Sequence, residues 1–204
     1  MPICNDKFYL NSVKTTAKMS LKTIQINLQA NLDKGLERLD AQMLLLHALG
    51  QPTSNRAWLM SHDTDELTPV QQQTLDDFIQ RRVSGEPVAY IVGSKEFFGL
   101  NLAVTSDVLV PRPDTEVTVE WALEIIPTTQ ASTALDLGTG SGAIGLAIKA
   151  NRANSTVTLL DASQAALAVA SSNAVSLGLA VHTLQSNWFE NVPSNESFDL
   201  IVSN

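Results

Sequence analysis

The sequence predicts an α/β chain in two unequal parts: a helical N-terminal unit, then a parallel sheet with helical crossovers. Three observations predict it. Apolar residues recur at helical steps from about residue 20 to residue 87. From about residue 116, short apolar runs alternate with helical stretches, which implies parallel strands joined by right-handed crossovers. Between the first of these runs and its helix stands Gly138-Thr139-Gly140-Ser141-Gly142, small residues that let the backbone turn tightly. Composition agrees with a folded chain, since 44% of the 204 residues are apolar and 17% are charged.

Composition also excludes. No apolar run approaches the roughly 20 residues of a membrane-spanning helix. The single cysteine, Cys4, rules out an internal disulfide framework, and no Cys and His cluster has zinc spacing, so no metal is expected. A reducing interior, the cytosol or an organelle matrix, is the expected home. The net charge of −8, from 13 Lys and Arg against 21 Asp and Glu, argues against tight binding to nucleic-acid phosphates.

Taken in order, residues 1–18 lack the continuous apolar stretch of a secretory signal and are expected to form a disordered extension, with Met19 an alternative start. Residues 19–87 are expected to form a small helical bundle. Leu36, Leu39, Met43, Leu46 and Leu49 recur at three- and four-residue steps before a capping Gly50. Thr68-Pro69-Val70-Gln71 has the form of a capping box with proline at the first helical position. Its helix should turn Val70, Leu75, Phe78, Ile79 and Val83 toward the core and stop at Gly85. Arg81-Arg82 and Asp76-Asp77 read as the solvated face of that helix.

Residues 88–115 change period and are expected to form a β-hairpin connector. Val88–Val92 and Leu102–Val104 flank Gly93 and Gly99, and Val108-Leu109-Val110 runs into Pro111-Arg112-Pro113. Residues 116–204 then supply the α/β unit. A helix over 115–126 precedes the strand Ala134–Leu137, the glycine loop and a helix over 143–150. The strand Val157–Leu160 ends at Asp161, and Gln164–Leu177 is an alanine-rich helix closed by Gly178. Two more strands follow over 181–184 and 198–202. The chain stops at Asn204, just after an apolar strand, so the sheet is expected to be incomplete at its C-terminus.

The chemistry concentrates at strand, glycine loop, helix, strand, acid. Main-chain N–H groups at a helix start can approach a ligand closely, and an acid closing the next strand can accept both hydroxyls of an adenosine ribose. Asp161 lies 23 positions after Gly138, near the expected spacing of about 20. The loop alone is ambiguous. Gly138, Gly140 and Ala143 satisfy a dinucleotide pattern, while Gly138, Gly140 and Gly142 satisfy the G-x-G-x-G loop of S-adenosylmethionine enzymes. Asp136, inside the first strand, favours the methyl donor because a pyrophosphate is repelled by a nearby carboxylate. In that reading Asp136 faces the ligand's amino-acid end; the plainer alternative is that it caps the following turn. Trp188 offers a planar face for an adenine, whereas Phe189 reads as cover for the sheet end. His47, His62 and His182 are scattered and suit surface or helix-packing roles.

Several segments resemble the release factor glutamine methyltransferases (HemK/PrmC type). They include Arg38–Ala41, Glu86–Ile91, Glu96–Leu100, Val110–Glu116, Leu135–Gly145, Asp161–Ser163, Asn173-Ala174, Ser186–Phe189 and Phe198–Asn204. The Pro-Arg-Pro-x-Thr-Glu segment together with the glycine loop is the specific part. The resemblance implies a class I, Rossmann-like S-adenosylmethionine methyltransferase sheet. It implies transfer of a methyl group to the glutamine side-chain amide of the Gly-Gly-Gln motif in class I peptide chain release factors. It further implies that Gly138, Thr139, Gly140, Ser141 and Gly142 hold the methionine and ribose portion, Asp161 the ribose hydroxyls and Trp188 the adenine neighbourhood, and that the helical domain over residues 19–87 recognises the release factor. Asn204 stands at the first position of the family's Asn-Pro-Pro-Tyr signature, as catalytic and substrate-binding residue, and the chain ends there. A truncated, impaired enzyme is therefore expected, acting as a cytoplasmic monomer on a protein partner without membrane or direct nucleic-acid contact. The alternatives are an inactive remnant that still binds S-adenosylmethionine or a partner, a DNA adenine methyltransferase and, last, a nicotinamide-dependent oxidoreductase. Two departures from the family pattern are Asn187, where aspartate is common, and Asp114, where glutamate is common.

Overall fold

A computed structural model describes residues 22–204; the expected extension over 1–18 and the alternative start Met19 lie outside the described residues. The helical unit comprises α1 (Ile24–Asp33), α2 (Arg38–Ala48), α3 (Arg56–Ser61), α4 (Pro69–Val83) and α5 (Val88–Val92). The capping box forms as the sequence predicts: the Thr68 side chain accepts from the Gln71 N–H, and the Gln71 side chain accepts from the Thr68 N–H at 2.9 Å. Ile24, Leu44, Leu45, Leu46, Leu67, Leu75 and Ile79 fill the core of this unit.

Two expectations about α4 are corrected. Val70 is 76% exposed and Val83 60% exposed. Val70 lies about 140° around the helix from Leu75, off the buried stripe. At the last turn the side facing α2 is taken by Arg82, whose Nε donates to Asp40 Oδ2 at 2.7 Å, so Val83 is rotated outward. The arginines are accordingly not a free solvated face: Arg82 joins two helices, and Arg81 makes a two-bond ion pair with Glu86 at 2.8 and 2.6 Å. On α2, Leu39 is 48% exposed while Leu44 and Leu45 are buried, so the packed stripe lies further round than the spacing alone suggests.

Val88–Val92 is also a correction, being a helical turn rather than a strand. Pro87 precedes it, with its carbonyl accepting from the Tyr90 and Ile91 N–H groups, and Gly93 closes it at φ +74°. One turn brings Val88, Ile91 and Val92 onto the bundle core together, the spacing of one helical face. The hairpin itself is shorter than expected: β1 (Ser94–Phe97) pairs antiparallel with β2 (Leu100–Ala103). Its two-residue turn has φ +49° at Phe98 and +78° at Gly99, the all-positive form that matches strand twist. Glu116 Oε1 accepts from the Phe98 N–H and Glu96 Oε1 from the Gly99 N–H, which holds a bulky residue in a conformation it rarely adopts.

The α/β unit follows the sequence closely. Its strands are β3 (Thr133–Leu137), β4 (Thr156–Asp161), β5 (His182–Gln185) and β6 (Leu200–Ser203), in the order β5-β4-β3-β6, all parallel. After a 3-10 turn at Pro113–Thr115 come α6 (Glu116–Ile125), then α7 (Ala143–Asn151) and α8 (Gln164–Leu177). Residues of all three helices pack with Phe97 and Leu102 of the hairpin in one core against the sheet. On the other side Leu135, Leu137 and Leu160 meet Leu184, Val192 and Phe198. Phe189 does not share in that cover. It is 48% exposed, and Val192 and Phe198 do the work expected of it. With β4 on one side of β3 and β6 on the other, the winding reverses at β3. A parallel sheet opens a crevice for ligands at the C-terminal end of its strands at such a point.

Candidate cofactor and substrate site

The glycine loop begins where β3 ends. The Gly138 and Thr139 N–H groups both donate to the Leu160 carbonyl, at 2.8 and 2.9 Å, so the loop is sewn to the end of β4. The Gly142 N–H then donates to the Thr139 carbonyl at 2.8 Å and closes the turn into α7. Gly140 has φ +53°, and a Cβ placed on it or on Gly138 would meet nothing within 4 Å. The loop therefore borders open space at these two residues, which leaves room for a ligand to lie close against the main chain.

Two carboxylates hold the loop from opposite sides. Asp161, at the end of β4, accepts the Gly140 N–H on Oδ2 and the Ser163 N–H on Oδ1, both at 2.9 Å. Asp136 is 2% exposed and accepts the Thr139 hydroxyl at 2.6 Å and the Gly145 N–H at 2.9 Å, both on Oδ2. Of the two readings of Asp136, these contacts match the turn-capping one. Burial pushes its pKa up to about 6; the hydrogen bonds from Thr139 and Gly145 oppose that rise, and the nearby Asp161 charge adds to it.

Gly145 and Asn173 carry roles that spacing did not single out. A Cβ on Gly145 would fall 2.3 Å from Leu159 Cδ2 and 3.1 Å from Asp136 Oδ2, so only glycine lets α7 lie this close to β3 and β4. Asn173 on α8 is 2% exposed; its Oδ1 accepts from the Ala103 N–H at 2.7 Å. Its Nδ2 donates to the carbonyls of Ala103 at 3.0 Å and of Ser141 at 2.9 Å. Both are quoted among the resembling segments, and only three-dimensional packing shows what they touch.

The other expected residues gather at the same end of the sheet. The Ser186 N–H donates to the Asp161 carbonyl at 3.0 Å, which sets the segment leading to Trp188 beside the acid. Trp188 is 68% exposed with φ +52°, a backbone state that a bulky residue rarely adopts. Asn204 follows β6, next to β3. Its Nδ2 donates to Oγ1 of the buried Thr115, in the Pro-Arg-Pro-x-Thr-Glu segment, and Ser203 Oγ donates to the Leu137 carbonyl at 2.9 Å. That bond engages the donor end of the Asn204 amide.

A groove of about 1050 Å³ runs between the helical unit and the connector. Leu39, Met43 and His47 of α2 line it together with Lys95, Leu109 and Arg112, and Pro113, also in the lining, belongs to the same short turn as Thr115. The groove lining thus includes the short turn that carries Thr115, the partner of Asn204. The sequence placed Leu39, Met43 and His47 in helix packing and assigned no residue of the groove to binding. The histidines fit their expected packing roles: His47 stacks on Phe78 at 5.1 Å and burial lowers its pKa, and His62 stacks on Trp58 at 4.0 Å.

Comparison with known proteins gives two family matches, the PrmC N-terminal domain over residues 26–93 and the methyltransferase small domain over residues 116–204. A release factor glutamine methyltransferase of Bordetella pertussis is 48% identical over 172 residues, covering 84% of this chain and 63% of the relative. The protein of the same name from Salmonella typhimurium is 44% identical over 173 residues, covering 84% and 61%. The chain thus spans about three fifths of the length of these curated relatives. Among solved structures, an S-adenosylmethionine-dependent methyltransferase of Agrobacterium tumefaciens overlaps at TM-score 0.47 with 21% identity, over 54% of this chain and 38% of its own.

Proposed function

Because the chain belongs to the family of the release factor glutamine methyltransferases, we propose that it binds S-adenosylmethionine on its glycine loop and serves methylation of a glutamine side-chain amide in class I peptide chain release factors. When bound, the cofactor supplies an electrophilic methyl group on a sulfonium. The residues of this chain bind and orient. The loop from Gly138 to Gly142 would hold the methionine and ribose portion, with open space at Gly138 and Gly140 for its close approach. Asp161 would hold the ribose hydroxyls, and Trp188 would offer its ring to the adenine.

An amide nitrogen is a weak nucleophile because its lone pair is delocalised into the carbonyl. An acceptor that takes an amide N–H aims the nitrogen and stabilises the positive charge it develops. Asn204 Oδ1 is that acceptor, with Thr115 holding the other end of the same side chain. The groove lined in part by Pro113 receives the protein substrate. A cytoplasmic monomer acting without direct nucleic-acid contact belongs to the same reading.

The observation that supports this most is the Asp161 carboxylate, held beside two glycines that border open space. Titration calorimetry with S-adenosylhomocysteine tests it. Micromolar binding is expected, weakened tenfold or more by Asp161→Ala, with no saturable uptake of NADH. Absence of binding at millimolar ligand would overturn the cofactor assignment. Transfer of label from methyl-tritiated S-adenosylmethionine to a purified release factor, lost when its Gly-Gly-Gln glutamine is replaced, tests the substrate.

A further inference from the structure

Asn173 links two regions that are far apart in sequence and that the proposed function uses separately. Its amide makes three hydrogen bonds from a buried position on α8. Two go to the N–H and the carbonyl of Ala103, so the side chain pairs with the end of β2 as a neighbouring strand would. The third takes the carbonyl of Ser141, between Gly140, whose N–H lies on Asp161, and Gly142, which closes the turn. Both N–H donors of the amide are thereby used. Any shift of the Ser141 peptide must either drag Ala103 with it or leave a buried polar group unpaired, which costs more than an ordinary hydrogen bond contributes. β2 is rigidly paired with β1, and the Ser94, Lys95, Glu96 and Asn101 positions of this hairpin line the groove. A continuous chain of backbone bonds therefore runs from the glycine loop through one side chain to the groove wall.

We propose that Asn173 is a positioning residue that transmits occupancy of the glycine loop to the hairpin, so that the bound cofactor sets the groove wall before a protein substrate docks. The proposal rests on the reading of the loop as the S-adenosylmethionine site.

Hydrogen exchange read by mass spectrometry on the 204-residue protein, with and without saturating S-adenosylhomocysteine, tests it. In the unsubstituted protein the ligand should slow exchange at least threefold over residues 94–104 as well as over 138–145. In Asn173→Leu, which keeps the branched shape and removes the bonds, the loop should still be protected by ligand and the hairpin should not. The dissociation constant should rise about tenfold. Asn173→Asp, which keeps the acceptor for Ala103 and sets a carboxylate against two carbonyls, should behave the same way.

Protection of the loop without the hairpin in the unsubstituted protein would overturn the coupling and leave the cofactor reading standing. Persistent ligand-induced protection of the hairpin in the folded variants would overturn it too, since loss of an amide that only stabilises the fold raises exchange everywhere but leaves the ligand's effect on the hairpin intact. No binding at all would overturn both. The unsubstituted comparison decides the matter even if neither variant folds.

Discussion

Asp136 is a carboxylic acid almost wholly removed from water. Its carboxyl titrates at about 6 in the folded protein against 3.8 in the reference state, so between those values the folded chain keeps a proton that the unfolded chain has lost. Stability therefore falls as pH rises from about 4 to 6 and the deficit is constant above that, on the order of 3 kcal/mol for a shift of about two units. Asp136→Asn removes the buried charge and keeps an acceptor for Thr139 and Gly145. Its unfolding free energy minus that of the parent should climb across this window and level off near pH 6 in urea titrations. A difference that stays level from pH 4 to 6 would refute the assignment. Beside it, Gly145→Ala forces a methyl group into Leu159 and the Asp136 carboxylate. Overpacking of this kind costs about 1–3 kcal/mol, read as a lower urea midpoint at unchanged slope.

At the scale of elements, the ends of helices decide more than their middles. Thr68→Ala removes one half of the capping box and should cost about 1 kcal/mol, visible as a lower urea midpoint. The Arg82–Asp40 pair, with side chains 33% and 18% exposed, ties α4 to α2 and contributes at most about 1 kcal/mol after solvent screening. Its larger effect is geometric, since it fixes which side of the last turn of α4 faces inward. The segment Val88–Val92 shows how a short apolar run misleads. Its β-branched residues favour a strand, yet positions 88, 91 and 92 share one helical face. Burial of that face against the bundle outweighs intrinsic preference.

At the scale of the whole molecule, the β1–β2 hairpin stands between the glycine loop and the groove, and the two can be separated by experiment. Leu39 and Leu109 are 48% and 83% exposed on the groove, large apolar side chains held in water. Replacing both by aspartate should weaken release-factor binding tenfold or more in fluorescence anisotropy, while the S-adenosylhomocysteine affinity from calorimetry stays within twofold. A matched loss of both affinities would show that the groove is no separate docking surface.

The sequence by itself determined the parallel α/β order, the boundaries of α8 and the glycine loop with Asp161 closing β4. Those features are local: glycines where φ is positive, an alanine-rich run closed by Gly178, and apolar runs of strand length. Asn204 and Thr115 could each be picked out from motifs, but 89 positions separate them and only the folded chain brings their side chains together. The roles of Gly145 and Asn173, the turn-capping contacts of Asp136, the inward side of α4 and the groove were likewise decided by tertiary structure. Each depends on which atoms arrive from distant parts of the chain. Hydrogen-bond satisfaction and close packing are settled between neighbours in space, and sequence spacing carries no record of them.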